Sequence, residues 1–135
     1  MVWKDSYRIG IDVIDKEHRK LFNMVGETER IVEESQYGVI RAVKCREAMV
    51  FLQAYVVLHF SHEEEYMEEI GYPHLAEHHA IHEEFKSRVT AQEEKLEKAN
   101  YADEVVLEAV NMMKTWLSDH VLNEDQKIAG KGSYQ

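Results

Sequence analysis

Punctuation is scarce in this chain. It has one proline, Pro73, and six glycines in 135 residues, too few for the many tight turns of an all-β fold. The apolar residues recur instead at the period of an amphipathic helix. Ile14, His18, Leu21, Phe22, Val25 and Val32 share one face of a first segment. After Gly38 a second carries Cys45, Ala48, Leu52, Val56, His59, Glu63 and Met67, and it closes near Ile70-Gly71. A third is expected to start at Tyr72-Pro73, with proline at the first helical position, and to present His78, Ile81, His82, Phe85 and Val89. A fourth follows Asn100-Tyr101-Ala102, with Asp103 as its N-cap, and shows Val106, Ala109, Met113, Trp116, Leu117 and His120. Four such helices joined by short breaks pack most simply as an all-α, antiparallel up-down-up-down four-helix bundle. The expected layout is a single domain over 1–135, with an N-terminal arm over about 1–11, the bundle over about 12–128 and a tail over 129–135. Charged runs such as Gln92–Lys98 read as solvated helix faces.

Each of the four inward faces carries histidine, which is unusual because a buried ionisable group is costly unless it is paired or bound to metal. Side chains four apart on a helix differ by only about 40° in direction, so they point the same way one turn apart. His59 and Glu63 stand in that relation, and so do His78 and His82. Up-down topology brings His18 (early in the first helix), His59 and Glu63 (late in the second), His78 and His82 (early in the third) and His120 (late in the fourth) to one end of the bundle. Asp125 lies five residues after His120, about 140° away on a regular helix. It can face inward only if the helix widens into a π-type turn there or ends before it. His74 is four before His78, so spacing alone leaves the pairs His74–His78 and His78–His82 both open.

Composition narrows the chemistry. There are eight histidines but one cysteine, Cys45, which excludes a disulfide framework and a thiolate zinc knuckle. Acidic residues outnumber basic ones 26 to 16, for a net charge of −10, a sign that repels nucleic acid and anionic lipid. The N-terminus shows no secretory signal. No stretch approaches the roughly 20 apolar residues of a membrane span, and the Ala48–Leu58 run is short and interrupted by Gln53. The expected setting is cytoplasmic.

The motifs Ile14-Asp15-Lys16-Glu17-His18-Arg19-Lys20-Leu21-Phe22, His59-Phe60-Ser61-His62-Glu63-Glu64, Gly71-Tyr72-Pro73, His78-His79-Ala80-Ile81-His82-Glu83-Glu84-Phe85 and Trp116-Leu117-Ser118-Asp119-His120 running on to Asp125 resemble the hemerythrin family. They are similar to its bacterial members, which also begin with a tryptophan-bearing arm like that of Trp3. The resemblance spans nearly the whole chain. It implies two iron ions bridged by an oxo or hydroxo group. His78, His82 and His120 would hold one, His18 and His59 the other, and Glu63 and Asp125 would bridge them. It chooses His78–His82 over His74–His78, and leaves His62, His74 and His79 at the surface or behind the ligands. It also implies that O2 binds reversibly at the iron with fewer ligands, for oxygen carriage, storage or scavenging. Val56, Phe60, Leu117 and Val121, by helix position, would make the apolar pocket around it.

Ligand chemistry alone does not choose iron, since imidazole and carboxylate also suit zinc, copper and nickel; iron rests on the resemblance. Two other functions compete. A di-iron oxidase or peroxidase of the ferritin-like kind would use Glu-x-x-His pairs, and no histidine here has a glutamate three residues before it. His-Glu-x-x-His, the zinc-protease motif, is absent too. Related domains occur fused to chemotaxis receptors and cyclic-dinucleotide enzymes as O2 or redox sensors. A sensing role would call for an output module or an exposed apolar docking patch, and neither is legible in the sequence.

Overall fold

The structure, a computed structural model, describes residues 1–129. Four long helices, α1 (Asp12–Glu34), α2 (Gly38–Glu69), α3 (Leu75–Lys98) and α4 (Asp103–Asp119), pack each against the next, and α4 closes against α1. A π-helical turn, His120–Glu124, follows α4 and leads into one last turn, α5 (Asp125–Ile128). The up-down-up-down bundle is therefore the fold. Most of the expected tail, residues 130–135, lies outside the described residues.

The connections are short because the helix ends stop themselves. After α2, Gly71 takes φ +66°, the amide of Gly71 bonds to the Glu68 carbonyl and that of Tyr72 to Met67, which is the Schellman termination with glycine at the left-handed position. After α3 the same pair of bonds runs from Asn100 to Glu97 and from Tyr101 to Leu96. Here Asn100 (φ 49°) and Tyr101 (φ 54°) take the left-handed conformations, which asparagine tolerates far better than tyrosine.

Several boundaries and faces differ from the sequence expectation. Pro73 lies in the turn before α3, which begins at Leu75 with His74 at its N-cap position. Asp103 is the first residue of α4 and Ala102 its cap. The Asp103 carboxylate instead takes two guanidinium bonds from Arg41 on α2, each 2.8 Å. Ile81 is only half-buried, while Gln92 and Leu96 turn inward from the charged run that otherwise faces solvent. The outward side of α2 does expose an apolar stripe, with Val39, Val43, Val50 and Val57 each more than half exposed.

Residues before α1 form the expected arm, with one 3-10 turn at Asp5–Tyr7. Trp3 and Tyr7 pack edge-on and against Phe22 of α1 with ring centroids 5.4–5.6 Å apart. The amides of Ile9 and Gly10 donate to the buried Asp15 carboxylate at 2.8 and 3.1 Å. Gly26 lets the arm lie close on α1, since a Cβ there would stand 2.7 Å from the Met1 carbonyl oxygen.

Candidate metal centre

At the end of the bundle where α1 and α3 begin and α2 and α4 finish, seven side chains converge. His18, His59, Glu63, His78, His82, His120 and Asp125 are all buried, none more than 2% exposed. Up-down topology delivers five of them from the regular helices α1, α2 and α3, and His120 from the junction where α4 runs into the π-turn. Asp125 arrives through the π-turn: its amide bonds to the carbonyl of His120, five residues back, where an α-helix would use Val121. The widened turn removes the 140° offset and brings the Asp125 carboxylate over His120, with Oδ1 3.0 Å from its Nε2.

The two carboxylates divide the imidazoles between them. Glu63 Oε1 lies 2.9 Å from Nε2 of His82, 3.1 Å from that of His120 and 3.7 Å from that of His78. Asp125 Oδ1 lies 3.1 Å from His78 Nε2. The other oxygens face the other pair: Glu63 Oε2 is 3.0 Å from His18 and 3.2 Å from His59, and Asp125 Oδ2 is 2.8 Å from His18. Two ligand groups result, each within a 4.8 Å span: Glu63, His78, His82, His120 and Asp125, and His18, His59, Glu63 and Asp125. Each carboxylate gives one oxygen to each group. His74 stays outside, near Glu77 at the start of α3.

Whether cations fit can be asked of the protons. His82 Nδ1 donates to Glu64 Oε2 at 2.9 Å and His59 Nδ1 to Glu17 Oε1 at 3.0 Å. In the neutral tautomer these bonds fix, Nε2 carries a lone pair, and on His82 it faces the Glu63 oxygen at 2.9 Å and His120 Nε2 at 3.3 Å. Lone pairs at that distance repel unless a cation sits among them. His59 Nε2, His78 Nε2 and both Asp125 oxygens, moreover, are buried without a hydrogen-bond partner among the described residues. The nitrogen-rich donor set fits a pair of transition-metal ions.

Without metal, protons take the place of that charge. Burial alone would depress the imidazole pKa values, but the Asp125 and Glu63 carboxylates outweigh it and lift His18 and His120 to about 9 and His78 to about 10. His59 is also raised, against burial, chiefly by Glu63. His82 goes the other way, because burial dominates there. Burial works against the ionised carboxylates, and Glu63 raises Asp125 further, yet the surrounding imidazoles hold both well below the ordinary carboxylate range.

Glu17 and Glu64, which sequence reasoning did not single out, are the acceptors behind the ring nitrogens. Glu17 also takes His62 Nδ1 at 2.6 Å, and Glu64 also takes Nδ1 of the exposed His79. His62 and His79 therefore stand one step behind the site, joined to it through these carboxylates. One signal was available: His59 and His62, three apart on one side of α2, ask for a shared acidic partner, and Glu17 is the acid beside His18 that can reach both. Val56, Phe60, Leu117 and Val121 are all buried. Phe60 stacks on His82 with centroids 3.8 Å apart. Trp116, which reads from sequence as simple packing, stacks on His120 at 4.6 Å, with Phe85 stacked behind it at 3.6 Å.

Residues 9–131 match the family described as the hemerythrin HHE cation binding domain. The bacteriohemerythrin of Clostridium acetobutylicum is 34% identical over 127 residues, 93% of this chain and 96% of that protein. That of Stenotrophomonas maltophilia is 34% identical over 129 residues, 96% of this chain and 79% of its own length. Myohemerythrin of Riftia pachyptila is 29% identical over 129 residues, 96% and 91% of the two chains. The chain belongs to the hemerythrin family. Membership brings with it a non-haem di-iron centre that binds O2, and the cluster of histidine, glutamate and aspartate is where this chain can hold it.

Proposed function

We propose that this protein binds O2 reversibly at two iron ions held by His78, His82 and His120 on one side and His18 and His59 on the other, with Glu63 and Asp125 bridging, for oxygen carriage, storage or scavenging. The observation that carries the reading is the division of the two carboxylates, each offering one oxygen to a group of three imidazoles and the other to a group of two. The iron pair, when bound, supplies the two electrons that O2 takes up and returns. The three-and-two split would leave the His18 and His59 side with fewer protein ligands, and a small exogenous ligand would bind on that side.

The chain's own residues do the rest. Glu17 and Glu64 accept the Nδ1 protons of His59 and His82 and so aim the Nε2 lone pairs inward, the usual work of an outer carboxylate behind a ligating imidazole. Val56, Phe60, Leu117 and Val121, with Trp116, are buried and would keep bulk water from the centre, which favours return of O2 over autoxidation. Imidazole-rich ligation stabilises high oxidation states less than carboxylate ligation does, and so favours binding over O–O cleavage.

No helix among the described residues is long and apolar enough to cross a membrane. A cytoplasmic setting suits a chain whose single cysteine, Cys45, is free and buried, and the net charge of −10 argues against nucleic acid as a partner.

The test is a spectrum. Reduced, iron-loaded protein should be colourless, gain a visible charge-transfer band on exposure to O2, and lose it on deoxygenation. Purified protein that holds two zinc ions and shows no such band would overturn the reading. His120→Ala should lower iron occupancy; full iron with an unchanged band would remove His120 from the ligand set.

A further inference from the structure

The π-turn that delivers Asp125 does not stand alone. The side chain of Gln126, the residue next to Asp125, ties it to the arm. The Gln126 carboxamide nitrogen donates to the backbone carbonyl of Tyr7 at 2.7 Å, across 119 residues of sequence, and lies 3.4 Å from the carbonyl of Val121 inside the turn. Both contacts bear on register. Val121 O is the acceptor that the Asp125 amide would take in an α-helix but has given up for His120 O. A carboxamide has two N–H donors, enough to serve the released carbonyl and the arm together. The arm it reaches is anchored independently, by Trp3 and Tyr7 on Phe22 and by the Ile9 and Gly10 amides on Asp15.

We propose that Gln126 is a positioning residue for Asp125: by bonding the arm at Tyr7 and the freed carbonyl of Val121, it holds the turn in the wide register and keeps the Asp125 carboxylate in the pocket. In the regular helical register Asp125 would be carried about 140° around from His120, away from His18, His78 and His120. The arm thereby becomes part of the metal centre without touching it. The inference rests on Asp125 being a metal ligand, as proposed above.

Its test uses Gln126→Glu, which keeps the shape but removes the donor, and Gln126→Met as a second donor-free variant. Gln126→Lys, which restores an N–H donor of similar reach, is the rescue. Metal-free protein is titrated with Co2+ alone, and backbone amide exchange is followed by NMR without metal. The donor-free variants should bind the metal about tenfold or more weakly, the loss typical of an outer-shell partner. Their Asp125 amide should exchange faster, while amides in the middle of α4 keep their rates, and Gln126→Lys should recover both. Unchanged Co2+ affinity and unchanged Asp125 exchange in Gln126→Glu and Gln126→Met would overturn the proposal, as would equal losses in the lysine variant. Asp125→Asn separates the two readings. If it binds Co2+ as the parent chain does, the ligand assignment fails; if it is weakened while the Gln126 variants are not, the ligand stands and the positioning role fails.

Discussion

Around Val25, Leu52, Leu96 and Met113 the bundle is filled with apolar side chains, whereas around Glu63 it is filled with five imidazoles and two carboxylates, equally buried. The first half holds itself together, since burying an aliphatic side chain is favourable in itself, by roughly 1.5–3 kcal/mol. The second cannot. Two carboxylates there are stabilised only by charge brought in from outside the chain, as protons or as metal. One half therefore sets stability and the other sets ligand, and the same four helices serve both because each changes character along its length.

Substitutions should separate the halves. The largest effect is expected for Glu63→Ala, which removes one of the two carboxylates shared by both ligand groups. Metal affinity should fall beyond the roughly 10–100-fold loss that an outer partner costs, and the O2-dependent band should vanish; two bound irons and an intact band would contradict the shared role. Leu52→Ala should do the reverse. It should destabilise the fold by about 2–5 kcal/mol through transfer and cavity terms, seen in denaturant midpoints, while metal stoichiometry stays as it was. Loss of iron from that variant would show that the halves are coupled. Glu17→Ala comes next, freeing His59 and His62 together. Metal affinity should drop by about 10–100-fold, with the variant still folded by circular dichroism.

The smallest effect is on the metal-free protein and concerns pH. His18, His78 and His120 have folded pKa values of about 9, 10 and 9 against an ordinary 6.5. Groups raised in this way contribute stability that is fully present below about pH 6.5 and is lost as pH climbs through 9 to 10. Chemical denaturation of the metal-free chain should show stability falling across that window. The loaded protein should not follow, because metal has replaced those protons, and loading near neutral pH should release protons measurable in a pH-stat. A metal-free chain that gained stability between pH 7 and pH 10 would contradict the charge pattern described for the pocket.

Much of this was readable from residues alone, and the rest was not for definite reasons. Helical period placed Leu21, Leu52, Phe85 and Met113 in the core, and the four-residue spacing of His59 and Glu63 put them in the pocket together, because regular helices turn sequence distance into direction. Asp125 resisted the same reasoning because a π-turn breaks that rule, and nothing local in His120–Glu124 announces one. Glu17 and Glu64 are not legible in the same way, because each lies about 100° from its helix's main stripe; their partners come from other helices, so only packing reveals them. α3 starts at Leu75, later than its sequence suggests, for a plainer reason: Pro73 suits a first helical position and a preceding turn equally well.

The π-turn has one more consequence. On α2 the acid common to both groups follows its histidine by four residues and is a glutamate; after α4 it follows by five and is an aspartate, shorter by one methylene. Backbone and side chain have been traded: one helix extends its carboxylate with a longer side chain, the other with an extra residue in the main chain. The two acids can then span the same gap from opposite walls of the bundle, and lengthening Asp125 to glutamate would crowd a site whose reach the wide turn has already supplied.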